Sequence, residues 1–305
     1  MLASAMNRKV LAILLVGVGC LLVATLYKME TLSEFVKQIR TQSIGNTLPL
    51  PSPMVAGAEV KPTPAKLLKT HDEQIQAGDK LHQMLLKDPN EYKCPDVKYI
   101  KNKMEGAWKY CGDATFALKK PCLVYSFGIN YDFTFDDALG NLGCDVYSFD
   151  PSMKTKEHRR NPNVMFYPTG LSGFDNDTFE PKLDSYVKKK TTWKIRTLKT
   201  LMGELGHSDR TIDLLKIDIE TSEWPAVRNI IDTGMHRQVK QFLVEWHIFA
   251  TYPAKETFEQ LIRILQDLKD AGFRSFDKNP HVPNLKWEKF NLQSDFGYVN
   301  IKFSS

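Results

Sequence analysis

Asp218 and Glu220 stand two residues apart directly behind the apolar run IDLLKI, and Glu245 and His247 repeat that spacing at the end of QFLVEW and just past it. Residues two apart on a strand share a face, so each pair points one way. Carboxylates and an imidazole gathered at strand ends have two chemistries open to them. His247, which titrates near neutral pH in its ordinary state, can take the proton of an acceptor hydroxyl as a general base. Alternatively, the carboxylates can hold a divalent cation such as magnesium or calcium that orients the hydroxyl. The plainer assignment has Asp218 capping the next helix and Glu220 making a surface ion pair. Trp224 and Trp246 read as packing residues rather than stacking platforms.

A second pair of signals lies upstream. Gly128 ends the run LVYSF, where a residue without a Cβ lets a ligand approach the backbone and the following helix presents its amino terminus. Asp150 ends the next apolar run, DVYSF, about twenty residues later, where an acidic side chain reaches the two hydroxyls of a ribose. One glycine alone is a tight turn; the pair together points to a nucleoside.

These residues need a parallel sheet to bring them together, because only there do the carboxyl ends of successive strands lie side by side. The chain supplies the pattern. Strands are expected at 123–127, 145–149, 164–167, 212–217, 241–246, 273–276 and 298–303. Helices are expected at 70–86, 133–142, 193–205, 224–232 and 255–271. Strand and helix alternate, which predicts an α/β domain with helices on both faces of the sheet and a terminal hairpin.

Outside that body, residues 10–27 carry no charge and are just long enough to cross a bilayer. Arg8 and Lys9 precede them, so residues 1–9 read as a cytoplasmic tail and 10–27 as an uncleaved signal anchor. Cleavage as a signal peptide is the alternative, and would release a secreted protein. Either way the remainder faces the lumen, and the short span suits the endoplasmic reticulum or Golgi. Residues 28–69 read as a stem, with Pro49, Pro51, Pro53, Pro62 and Pro64 holding it extended. Residues 70–305 then form the domain. Asn176-Asp177-Thr178 is an acceptor for N-glycosylation. Beyond Cys20 in the span, Cys94, Cys111, Cys122 and Cys144 are even in number, as an oxidising compartment allows. Cys94 and Cys111 suggest a local bridge, whereas Cys122 and Cys144 suit either a second bridge or buried thiols. Neither C-x-x-C nor zinc-type Cys/His spacing occurs. The formal charge of +5 on 305 residues is mild and scattered, so no nucleic-acid partner is expected.

Four blocks, VYSFGINYDFTFDDAL, GCDVYSFDPS, TLKTLMGELGHSDRTIDLLKIDIETSEWPAVRNII and FLVEWH, resemble a known family. It is the methyltransferase-like proteins of the methyltransferase-like protein 24 type, which are related to FkbM-type methyltransferases. The resemblance runs from about Lys93 onward, and the K-I-D-x-E block is its most specific part. It implies a Rossmann-like domain that uses S-adenosylmethionine. On that resemblance Ser126, Phe127 and Gly128 would line the methionine and ribose side of the donor, and Asp150 with Pro151 the ribose and adenine side. The first loop departs from the usual methyltransferase pattern, with Ser126, Asn130, Tyr131 and Asp132 where an acidic residue and further glycines are common.

Three functions follow from these features. The first is O-methylation of a glycan, lipid or small molecule in the secretory lumen, with Asp218, Glu220 and His247 activating the acceptor. The second is a non-enzymatic module whose altered glycine loop no longer binds the donor. The third is a luminal glycosyltransferase, for which Asp175-Asn176-Asp177 would mimic a metal-binding D-x-D.

Overall fold

The computed structural model describes residues 67–102, 106–183, 187–281 and 291–303. The span at 10–27 and most of the stem lie outside the described residues. Among the described residues no helix is long and apolar enough to cross a membrane.

The described chain opens with α1 (His71–His82), started by a capping box in which Thr70 and Glu73 each accept the other's backbone N–H. A π-helical turn (Gln83–Lys87) ends it. A hairpin of β1 (Val97–Asn102) and β2 (Gly106–Cys111) follows. Next come β3 (Leu123–Phe127), α2 (Thr134–Asn141), β4 (Asp145–Phe149), β5 (His158–Asn161) and β6 (Val164–Tyr167). A small three-stranded sheet of β7 (Thr169–Leu171), β8 (Asn176–Phe179) and β9 (Trp193–Arg196) precedes α3 (Leu198–Glu204). The remainder is β10 (Leu214–Ile217), α4 (Glu223–Asp232), β11 (Gln241–Ile248), α5 (Phe258–Ala271), β12 (Phe273–His281) and β13 (Leu292–Asn300).

The main sheet has eight strands in the order β12-β13-β11-β10-β3-β4-β6-β5. The six-strand core β6-β4-β3-β10-β11 with β12 runs parallel, while β13 inserts antiparallel between β11 and β12. The first strand of the parallel set, β3, has the second on one side and the fourth on the other, so the topological switch point lies between β3 and β10. This is the Rossmann-like α/β architecture expected from the sequence.

Both faces of the sheet are covered, so its central strands are apolar throughout. On one face Leu123, Tyr125, Phe127, Leu215, Ile217, Val244 and Trp246 pack beneath α1, α3, α4 and α5. On the other, Val124, Val146, Leu214 and Leu243 pack against Phe135 and Leu139 of α2 and Trp108 and Tyr110 of the hairpin. Both disulfides stitch this second face. Cys94–Cys111 closes the base of the hairpin, and Cys122–Cys144 joins the residues just before β3 and β4.

The structure departs from the sequence expectation in several places. The helix expected at 193–205 is a strand followed by a seven-residue helix. Thr197 separates them, extended and capping α3 through its hydroxyl. The last strand begins at Leu292 rather than 298, and the hairpin β1–β2 and strands β5, β7 and β8 had no clear period in the sequence. These short segments form because neighbours supply their partners.

Each bridge closes a loop of moderate length, 17 residues for Cys94–Cys111 and 22 for Cys122–Cys144. Loop closure of that size restricts the unfolded chain by about 2–4 kcal/mol. Converting Cys122 and Cys144 to alanine is expected to lower unfolding stability by that amount in denaturant titration, and reduction of the wild type, which opens both bridges, should lower it further.

Candidate active site

A cavity of about 400 Å³ opens at the carboxyl ends of β3, β4 and β10, within the size range of small-ligand sites. Its inner wall includes Gly128, Asp150, Pro151, Lys216, Asp218 and Glu220. The outer wall comes from the small sheet and its flanks, with Gly170, Phe179, Trp193 and Ile195, and from Phe249 and Tyr252 behind β11. It is this insertion between β6 and α3 that turns an open strand-end crevice into a pocket.

Two loops form the floor, and both adopt strained backbone. After β3, Gly128 has φ 81°, Asn130 φ 44° and Tyr131 φ 64°; after β10, Glu220 has φ 54° and Thr221 φ 78°. Non-glycine residues in the left-handed region are uncommon and gather at functional sites. Gly128 has no substitute here, because a Cβ on it would lie 1.7 Å from the carbonyl oxygen of Asp218.

Asp150 is buried and holds the first loop. Its Oδ2 accepts from the N–H groups of Ile129 (3.0 Å) and Asn130 (2.8 Å). Its Oδ1 accepts from the N–H (2.8 Å) and hydroxyl (2.6 Å) of Ser152. This is a change from the sequence expectation of a carboxylate presented to ribose: Asp150 lines the cavity, but both oxygens already serve four protein donors. Ser126 and Phe127 also differ from expectation. Neither lines the cavity; Ser126 is buried in the sheet, and Phe127 stacks on Phe149 with ring centroids 4.6 Å apart. From this strand only Gly128 reaches the cavity, as does Pro151 after β4.

The acidic groups do converge. Oxygens of Asp218 and Glu220 and a ring nitrogen of His247 lie within 4.8 Å of one another. His247 is 1% exposed and sits behind the cavity wall rather than in it. Its Nδ1 is 2.9 Å from Oε1 of Glu223, which also accepts the N–H groups of His247 (2.8 Å) and Thr221 (3.1 Å). Its Nε2 faces Glu245 at 3.5 Å and Glu220 at 3.7 Å. Burial alone would depress the imidazole, but the charge and hydrogen bond of Glu223 outweigh it and push His247 up to about 10. At neutral pH His247 is therefore an imidazolium, which disfavours the general-base role expected for it. Burial, then the nearby charge of Asp218, pushes the Glu245 carboxyl up to about 8.

Several residues of the site escaped the sequence reading. Lys216, 4% exposed, donates from Nζ to the carbonyl of Gly128 at 2.9 Å, lies 3.5 Å from Asp218 and rests over the Trp108 ring. It was visible as the lone cation in IDLLKI. Glu223, fully buried, is the acidic residue that opens α4. Asp136 of α2 is also buried in the wall; burial raises its carboxyl, opposed by a hydrogen bond from the Ser148 hydroxyl and by the charge of Lys216. Trp224 and Trp246 pack as expected, with centroids 4.3 Å apart, and Trp224 donates from Nε1 to the carbonyl of His247. The D-x-D triplet is structural. Asp175 accepts from Thr197 N–H and Thr200 hydroxyl, both at 2.7 Å, and Asp177 pairs with Arg196. Neither carboxylate is offered to a metal-bound sugar nucleotide, which argues against a glycosyltransferase.

A family profile described as a methyltransferase domain matches residues 68–298. Among curated proteins, the chain is similar to the probable methyltransferase-like protein 24 of Homo sapiens. It is 27% identical over 213 residues, which cover 64% of this chain and 56% of that protein. The Rattus norvegicus counterpart gives the same identity and coverage. The chain thus spans a little over half the length of these relatives. Among solved structures, a Methanococcus jannaschii fibrillarin pre-rRNA processing protein overlaps 68% of this chain and 84% of its own, at 12% identity and a TM-score of 0.32. A 16S rRNA (adenine(1408)-N(1))-methyltransferase from Catenulisporales acidiphilia overlaps 68% of this chain and all of its own, also at 12% identity and 0.32.

The glycine at the switch point gives a paired test. Gly128→Ala adds both a left-handed alanine and a collision with Asp218, and should cost about 3 kcal/mol or more. Gly206→Ala, at φ 73° with nothing within 4 Å of the new Cβ, should cost only about 1 kcal/mol. Chemical denaturation of the two variants measures both.

Proposed function

The chain belongs to the methyltransferase-domain family, and we propose from that premise that it transfers a methyl group from S-adenosylmethionine to an oxygen of an acceptor held in the cavity. One observation carries this reading: the ends of β3, β4 and β10 meet on a single cavity, with Asp218 and Glu220 in its wall. The residues suit a nucleoside-bearing donor in size and in kind. Gly128 presents bare backbone, and Asn130, Asp132, Asp150, Pro151 and Ser152 surround it. The donor supplies a sulfonium-bound methyl with a good leaving group, so the protein mainly aligns the two partners.

Asp150 then acts chiefly by fixing the loop, and a ribose hydroxyl would join it by displacing the Ser152 hydroxyl. Lys216 ties that loop to Asp218. Asp218 and Glu220 receive or direct the acceptor proton, either as carboxylate bases or by holding a divalent cation. Against turnover stands one feature: Asp150 and Asn130 close the loop on itself, as a non-enzymatic module would allow.

Titration of the protein with S-adenosylmethionine separates these readings. The wild type should bind, and Asp150→Ala should bind about ten- to a hundredfold more weakly, a loss of roughly 1.5–3 kcal/mol. Asp218→Asn should keep donor affinity and lose about 10²–10⁴-fold in turnover. Chelation should abolish activity if a cation is held and leave it unchanged if the carboxylates act alone. Absence of binding by the wild type would sink the enzyme reading.

We further place the domain in the secretory lumen, on the membrane anchor at 10–27, with a glycan or lipid hydroxyl as acceptor. Two disulfides support an oxidising compartment. The partner is then a small molecule or glycan, with membrane contact through the anchor. In microsomes the domain should resist added protease, and Asn176 should gain an endoglycosidase-sensitive glycan. Digestion of the domain in sealed microsomes would refute the placement.

A further inference from the structure

Beside the cavity, on the last three strands, a second cluster stands outside the machinery described above. Glu245 of β11 is directly opposite Asp295 of β13 in the antiparallel register, and Asp295 is in turn opposite Asn279 of β12. Directly opposed residues project from the same face, so the register sets two carboxyl groups against each other, which costs a sheet stability wherever both are charged. His281 closes the third side, with Nε2 2.9 Å from Oδ2 of Asp295. Ligand atoms of Glu245, His281 and Asp295 all lie within 4.8 Å of one another.

Glu245 is the second, independent observation. It is 6% exposed, yet no described residue donates a hydrogen bond to its carboxylate. Nε2 of His247 lies 3.5 Å away as an ion pair rather than a hydrogen bond, while Nδ1 of the same ring meets Glu223. A buried carboxylate normally has donors or a metal to compensate for lost hydration. Of the charges around it, those of Asp218 and Asp295 raise the Glu245 carboxyl, and those of His247 and His281 oppose them.

We propose that Glu245, His281 and Asp295 form a binding site for a divalent first-row metal ion, of the manganese or zinc type. The donor set decides the class: one imidazole nitrogen with two carboxylates is softer than the all-oxygen shell that calcium and magnesium prefer. Asn279 hydrogen-bonds Asp295 at 3.1 Å and orients it, as supporting partners do in metal sites. The ion cross-links β11, β12 and β13, neutralises Glu245 and thereby fixes the charge behind His247. This site shares no ligand with the cation role weighed for Asp218 and Glu220, so the two stand or fall separately.

The test uses the full-length protein, freed of metal by chelation and titrated with manganese while bound ion is counted by electron paramagnetic resonance. Binding is expected to survive Asp218→Asn combined with Glu220→Gln. It should weaken at least tenfold in Asp295→Asn, in His281→Ala and in Glu245→Gln, each checked for folding by circular dichroism. Pulsed resonance should show nitrogen coupling from a bound imidazole that disappears in His281→Ala. As a control, Asp177→Asn, a surface carboxylate outside the cluster, should bind as the wild type does. The proposal is overturned if the wild type binds no manganese, or if binding is lost with Asp218 and Glu220 and kept without Asp295 and His281.

Discussion

The closest approach of two backbones at the switch point sets the geometry of everything around it. Gly128 lies against the carbonyl of Asp218 with no room for a Cβ, so the loops after β3 and β10 leave the sheet as one unit. Lys216 reinforces the contact by donating to Gly128 and sitting 3.5 Å from Asp218. Asp150 extends it sideways, capturing two amides of the glycine loop and pinning them to the end of β4. The loops after β3, β4 and β10 that wall the cavity are therefore mechanically continuous. A shift at any of these three residues moves all of them.

Electrostatics organise the second layer. Four acidic groups, Asp218, Glu220, Glu223 and Glu245, act on His247. Glu223 answers part of that charge by keeping the imidazole protonated and by taking the N–H groups of Thr221 and His247. This holds Glu220 and Thr221 in their left-handed conformation. Strain in a loop persists only where surrounding contacts over-determine it, and here the buried carboxylate is the contact that does so.

The small sheet β7-β9-β8 supplies what the Rossmann-like core lacks, a wall facing the strand ends. Arg196 binds it together, reaching Asp177 on β8 and Glu204 on α3, while Asp175 clamps the start of α3. Phe179 and Trp193 line the cavity from this insertion rather than from the core, so that wall can vary without disturbing the loops after β3 and β10.

Much of this was legible in the sequence alone. Runs such as LVYSF and DVYSF could only be buried strands, because both faces of a covered sheet are apolar. The spacing of Gly128 to Asp150, and of Asp218 to Glu220, placed those residues at neighbouring strand ends. Even cysteine number suggested two bridges. The roles were another matter. Whether Asp150 faces a ligand or the Ile129 and Asn130 amides depends on how a loop folds back, and no periodicity records that. The protonation of His247 depends on Glu223, separated from it by 24 residues and brought to 2.9 Å only by the packing of α4 on β11. The opposition of Glu245 and Asp295 is set by strand register across a long connection. Local pattern fixes which residues are strand and which are helix, because sterics and burial act over a few residues. Charge, hydrogen bonding and register act between distant segments, so only the assembled tertiary structure decides what each polar group does.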